Sequence, residues 1–79
     1  MFRTLVKTEV VAVDGQSYLV RYFELTTGRG ARRFSAEIGL GGDDRIILDG
    51  DSLTNLEART ARLVPATVYS RTLARVTAA

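Results

Sequence analysis

The sequence predicts an α+β fold: a three- or four-stranded antiparallel meander, followed by one or two C-terminal helices packed on one sheet face. Two observations lead to this prediction. Through the first half of the chain, apolar residues alternate with polar ones between glycine-containing turns, a pattern typical of β-hairpins. From about residue 52 the apolar residues are instead spaced three and four apart, as they are in a helix.

Composition indicates one small domain over residues 1–79, with the sheet at 2–49 and the helical part at 52–76. The chain has no cysteine and no histidine, which removes disulfides and the usual metal ligands. Because so short a chain buries a small fraction of its surface, we expect either unusually good packing or a partner chain that completes the core. No apolar run approaches the ~20 residues of a membrane span, so we expect a cytoplasmic protein and no membrane partner.

Asp14-Gly15 defines the first hairpin, because a type I′ turn needs positive φ at both of its central residues. It predicts strands at 2–13 and 16–26. A four-residue loop at 27–30 then leads into a third strand at 31–38. This register collects one apolar face that the helices would cover. The face holds Val6, Val10, Leu19, Phe23, Leu25, Phe34, Ala36 and Ile38.

Two segments of the second half are less sharply defined. Residues 45–49 are apolar enough for a short fourth strand or a buried connector. Asp51 or Ser52 is expected to cap a helix. Pro65 removes a backbone donor and disfavours helix at the residue before it, so we expect a break there and a second helix from about 65 to 76.

Arg21 falls on the predicted buried face, where an unpaired charge would be costly. We expect it to form a structural ion pair with Glu57, which is the acidic residue of the helical part. The alternative is an arginine that binds a phosphate or carboxylate at the junction of sheet and helix.

The other sheet face is predicted to be exposed and to carry tyrosines and valines. Such side chains are enriched at protein interfaces. The sequence therefore predicts a non-catalytic module that associates with itself, as a homodimer, or with another protein, through this face or an edge strand. The candidate partner face comprises Lys7, Val11, Tyr18, Val20, Tyr22 and Arg33.

Nucleic acid is the second candidate partner, held by a basic hairpin tip and by arginines of the helical part. The candidate contacts are Arg29, Arg32, Arg33, Arg59 and Arg62. Glu9, Glu24 and Glu37 lie on the predicted exposed face beside Lys7 and Arg33 and would repel a phosphate backbone there, which places this function behind protein binding.

Catalysis, cofactors and metals are not predicted. The glycines at 39–42 lack the strand–loop–helix context and the lysine ending of a phosphate loop. The aspartates at 43, 44, 49 and 51 lack the spacing of an EF-hand. No serine has an adjacent base, and no other combination of side chains forms a catalytic set.

Overall fold

The structure is a computed structural model that describes residues 2–78, and it has one antiparallel sheet followed by one helix. The elements are β1 (Phe2–Val13), β2 (Gln16–Thr26), β3 (Arg32–Gly41), β4 (Asp44–Gly50) and α1 (Leu53–Ala78). The strands neighbour one another in chain order, β1-β2-β3-β4, and α1 packs on one face of the sheet. The predicted α+β class is confirmed, and the segment around residues 45–49 is a strand.

The first hairpin has the predicted turn. Asp14 has φ of 50° and Gly15 has φ of 80°, as a type I′ turn requires. The pairing runs outward from Val13 opposite Gln16, as expected, until a bulge between Leu5 and Lys7 shifts the register. Beyond this bulge Leu5 pairs with Phe23 instead of Glu24, and Thr4 pairs with Glu24 instead of Leu25, so the end of β1 shares its faces with different β2 side chains from those predicted.

The connection between β2 and β3 is one residue longer than predicted. Thr26 pairs with Arg32, so the loop spans residues 27–31. The Thr27 hydroxyl closes this loop, accepting from the backbone N–H groups of Arg29 at 3.4 Å and Ala31 at 3.1 Å. A local hydroxyl–backbone bond of this kind stabilises a turn that the glycine pattern alone does not specify.

This one-residue shift exchanges the two faces of β2. Ala36 and Ile38 are buried as predicted, but they pair with Tyr22 and Val20 instead of Arg21 and Leu19. The prediction that Val10, Leu19, Phe23 and Leu25 lie under the helix is therefore wrong. The buried hydrophobic core consists of Val20, Tyr22, Ala36, Ile38, Leu56 and Val64.

Helix α1 begins at a serine cap and continues through Pro65. The Ser52 hydroxyl accepts from the backbone N–H of Asn55 at 3.3 Å, and the Ser52 carbonyl accepts from Leu56 at 3.0 Å. The predicted break at Pro65 is wrong, because the helix runs unbroken to Ala78. Burial of Leu56 and Val64 against the sheet holds the turns before the proline in place.

Two ion pairs attach α1 to the sheet. Lys7 Nζ lies 2.7 Å from a Glu57 carboxylate oxygen, and Arg71 Nε lies 2.8 Å from Asp44. The hydrogen bond to Glu57 raises the pKa of Lys7, and the bond from Arg71 lowers the pKa of Asp44. The predicted pair between Arg21 and Glu57 is wrong, because the exchange of faces puts Arg21 on the side of the sheet away from α1.

Replacing Pro65 by alanine should stabilise the protein. Pro65 cannot donate to the carbonyl four residues earlier, and its ring crowds that carbonyl. Proline also restricts the unfolded chain, and alanine loses that stabilising contribution. As the net effect, we expect Pro65→Ala to raise the unfolding free energy by about 1–2 kcal/mol, measured by urea denaturation. Ala66→Pro, at the next and exposed position, should lower it by about 3 kcal/mol. A Pro65→Ala variant no more stable than the wild type would contradict this account.

Alkaline pH should weaken the fold through Tyr22. Burial raises the pKa of Tyr22, whose hydroxyl donates to Glu9 at 3.1 Å. The unfolded chain therefore loses this proton first, so stability is complete below about pH 10 and declines as pH rises through the higher folded pKa. The raised pKa of Lys7 acts in the same direction.

We expect the urea midpoint of Tyr22→Phe to fall less than that of the wild type between about pH 8 and about pH 11. Tyr69→Phe is the matched control, because Tyr69 is 66% exposed and should leave the wild-type pH dependence unchanged. Parallel declines for Tyr22→Phe and the wild type would rule out this origin of alkaline sensitivity.

The open face of the sheet as a candidate interaction surface

The face of the sheet that points away from α1 is the candidate functional surface, and we call it the open face. The observed register assigns each strand's outward side chains, because residues on either side of a buried position point away from the core. The open face comprises Arg3, Leu5, Thr8, Val10 and Ala12 of β1, Ser17, Leu19, Arg21, Phe23 and Leu25 of β2, Arg33, Ser35, Glu37 and Gly39 of β3, and Arg45, Ile47 and Asp49 of β4.

Large apolar side chains are unusually exposed on this face. Leu5 is 52% exposed, Val10 63%, Leu19 50% and Ile47 54%. Phe23 contributes a half-buried ring between them. Arg21 and Glu37 separate the Val10–Leu19 row from the Leu5–Phe23 row. Several large apolar side chains exposed on one sheet face are typical of a surface that another molecule covers.

A nearly buried carboxylate lies at the centre of the open face. Glu37 is 9% exposed, and its carboxylate contacts the guanidinium groups of Arg3 and Arg45. Arg3 reaches Glu37 by crossing Phe23, with its guanidinium carbon 3.6 Å from the ring centroid. This cation–π contact covers one side of the aromatic ring and holds Arg3 along the sheet surface.

Arg21 adds a further positive charge to the same centre. It is the cross-strand neighbour of Glu37 on β2, and its side chain is exposed. Among residues 2–78, no ion pair is found for Arg21, since Glu37 is engaged by two other arginines. The open face therefore presents four arginines against two carboxylates, those of Glu37 and Asp49.

The open face is shaped as a ridge beside a groove. The ridge is β2, whose Leu19 and Phe23 stand next to the lower side chains of β3. Ser35 is 8% exposed, and Gly39 has no side chain. Two open depressions follow β3, one of about 270 Å³ beside Ser35 and Glu37 and one of about 500 Å³ beside Gly39.

The predicted partner face is wrong in its placement. Arg33 is the one member of that set on the open face. Val20 and Tyr22 have no exposed surface, and Val11 and Tyr18 pack against the core. Lys7 lies on the same side, bonded to Glu57. Since β2 has large apolar residues on both faces, its alternation alone does not reveal which face α1 covers.

The five arginines proposed for nucleic-acid contact are not brought together. Arg29 lies in the exposed loop, and Arg32 pairs with Glu24 at 2.7 Å. Arg59 donates to the backbone carbonyl of Asp49 at 2.7 Å. Arg33 is on the open face, while Arg62 is on the exposed side of α1, across the sheet from it.

Across the described part of the chain, no group of three or more acidic, histidine or cysteine side chains is placed to hold a metal ion. No described helix is long and apolar enough to cross a bilayer. Comparisons with protein-family models, with curated proteins and with solved structures find no match to this chain.

Removing the central carboxylate should destabilise the sheet. Glu37→Gln keeps the size of the side chain but leaves Arg3 and Arg45 without their shared anion. Because both arginines are more than half exposed, we expect a loss of about 1–2 kcal/mol of unfolding free energy, less than for a fully buried pair. Asp49→Asn, an exposed change on the same face, should stay within about 0.5 kcal/mol of wild type in the same urea titration. Equal effects of the two substitutions would contradict a special role for Glu37.

Proposed function

We propose that the protein is a cytoplasmic, non-catalytic interaction module that self-associates by packing the open faces of two sheets against each other. The observation that carries this proposal is the exposure of Leu5, Val10, Leu19 and Ile47 on the one sheet face that α1 does not cover. Each would lose its contact with water in a face-to-face dimer, and apolar area removed from water is the main driving force of association.

The size of the open face supports a dimer. Strands about 4.8 Å apart with rows extending over about 25 Å give a projected area of roughly 400–500 Å². Side-chain relief raises the accessible area towards the ~800 Å² per partner of a standard interface. A second sheet packed on this face would also enlarge a hydrophobic core that has six buried residues within one chain.

The arginines are compatible with such an interface. Arginine is enriched at protein interfaces, and its methylene stem covers apolar area while the guanidinium reaches a polar partner. Arg3 already lies flat over Phe23. Glu37 is already paired with it, so the carboxylate needs little further desolvation when a second sheet approaches.

Single-stranded nucleic acid is the second candidate, and it would use the same face. Glu9 and Glu24 were expected to oppose it, but both lie on the side of the sheet that faces α1, where Glu24 pairs with Arg32. The open face is left with an excess of arginine and one aromatic ring, a combination that holds phosphates and stacks bases. The large apolar exposure of Leu5, Val10 and Leu19 favours the protein interface over this alternative.

Light scattering over a wide range of protein concentrations tests the proposal. We expect a dimer that dissociates on dilution, and we expect Leu19→Glu to weaken it at least about 100-fold, because a carboxylate would be buried without a partner. Tyr69→Glu is the matched control, since Tyr69 is 66% exposed on α1 and lies outside the open face.

The same samples separate the two candidate functions. An apolar interface should change little with added salt, whereas nucleic-acid binding should weaken steeply as counterions compete for the phosphates. A monomer at every concentration, or a dimer untouched by Leu19→Glu, would overturn the self-association proposal. A salt-sensitive complex with a single-stranded probe, formed by that monomer and lost in Arg21→Glu, would instead favour nucleic acid.

A further inference from the structure

Two rows of the open face pair a large side chain on β2 with a small or low one on β3, whereas Arg21 and Leu25 lie opposite the long side chains of Glu37 and Arg33. Phe23 is the cross-strand neighbour of Ser35, and the register continued one residue beyond the Val20–Ile38 pair places Leu19 opposite Gly39. Leu19 is 50% exposed, whereas Ser35 is 8% exposed and Gly39 has no side chain. In these two rows the surface is raised at β2 and lowered at β3.

A two-fold axis can match this surface to a second copy of itself. An axis that is parallel to the strands and midway between β2 and β3 exchanges these two strands and keeps every row in place. Leu19 then lies over the partner's Gly39, and the two Arg21 side chains lie over the Glu37 side chains of the opposite copies. Sheets packed in this way are aligned within about 30° and lie about 10 Å apart, which is common in β-sandwiches.

We infer that the protein forms an isologous sheet-to-sheet dimer in which β2 of each copy packs over β3 of its partner. This inference rests on the proposed function and specifies its partner and geometry. The depression of about 500 Å³ beside Gly39 provides space for the partner's Leu19. A Cβ built on Gly39 meets no atom within 4 Å, so this space is open in the single chain.

Charge supports the same arrangement. Arg21 lacks an ion pair among the described residues, and this axis brings it towards the partner's Glu37, the carboxylate that Arg3 and Arg45 of that copy already contact, and away from the partner's Arg21. A two-fold axis perpendicular to the strands would instead place β2 over the partner's β2. With that axis at the row of Arg21, Arg21 would face the partner's Arg21, which like charges disfavour, and wherever the axis lies the large side chains of β2 would pack on those of the partner's β2.

Exchanging the large and small residues of one row tests the arrangement. Leu19→Ala removes the raised side chain, and Gly39→Leu fills the space that receives it. Gly39 does not have positive φ, and its added Cβ meets nothing, so the fold should tolerate the change; urea midpoints verify this. We expect each single variant to raise the dimer dissociation constant about 10-fold or more, and the double variant to return within about 3-fold of wild type.

The matched control restores the lost apolar group at another position on the same face. Ala12 lies on β1 at the exposed end of the open face, away from the β2–β3 rows. Leu19→Ala combined with Ala12→Leu restores the apolar content of the wild type, one methyl group less than the rescued variant, and we expect it to remain as weak as Leu19→Ala alone.

Each outcome distinguishes this inference from the proposed function. If the wild type dimerises through the open face but the exchange of residues 19 and 39 does not rescue the dimer, the two-fold arrangement is wrong and self-association stands. Rescue by the Ala12→Leu control to the same extent would also overturn the arrangement, since recovery would then depend on apolar content alone. If the wild type is a monomer at every concentration, the proposed function fails, and the arrangement fails with it.

Discussion

The register between β2 and β3 is the constraint on which the rest of this structure depends. The Thr27 hydroxyl accepts two backbone N–H groups and closes a five-residue loop, so that Thr26 pairs with Arg32. A loop shorter by one residue would place Leu19, Arg21 and Phe23 beside the core strand's buried side chains. The loop that the Thr27 hydroxyl closes is therefore found together with one buried face of β2 and one exposed face.

The helix follows from that choice. It packs Leu56 and Val64 over the face that contains Val20 and Tyr22. Lys7 pairs with Glu57 of the helix, and Asp44 pairs with Arg71. A single helix covers a single face. Because β2 is rich in large apolar residues on both faces, this packing necessarily leaves apolar surface in water, and the open face is its consequence.

Polar groups organise that exposed surface. Glu37 is buried on the face that carries no helix, since Arg3 and Arg45 cover it and satisfy its charge. Arg3 in turn shields Phe23 from water. These contacts hold the side chains at the centre of the open face in place before any partner arrives, and a pre-ordered surface loses less conformational entropy on binding.

The sequence by itself determined β1 and β2, the Asp14-Gly15 hairpin between them and the start of the helix near residue 52, because turn chemistry and hydrophobic period are local properties. It also identified Phe34, Ala36 and Ile38 as core-facing. Only the tertiary structure decided which face of β2 is buried, where Arg21 points, and that α1 continues through Pro65. Those outcomes depend on one residue of loop length and on packing against the sheet. Loop length and packing against the sheet leave no periodic signal in the sequence of a strand that is apolar on both faces, or in that of a helix that contains a proline.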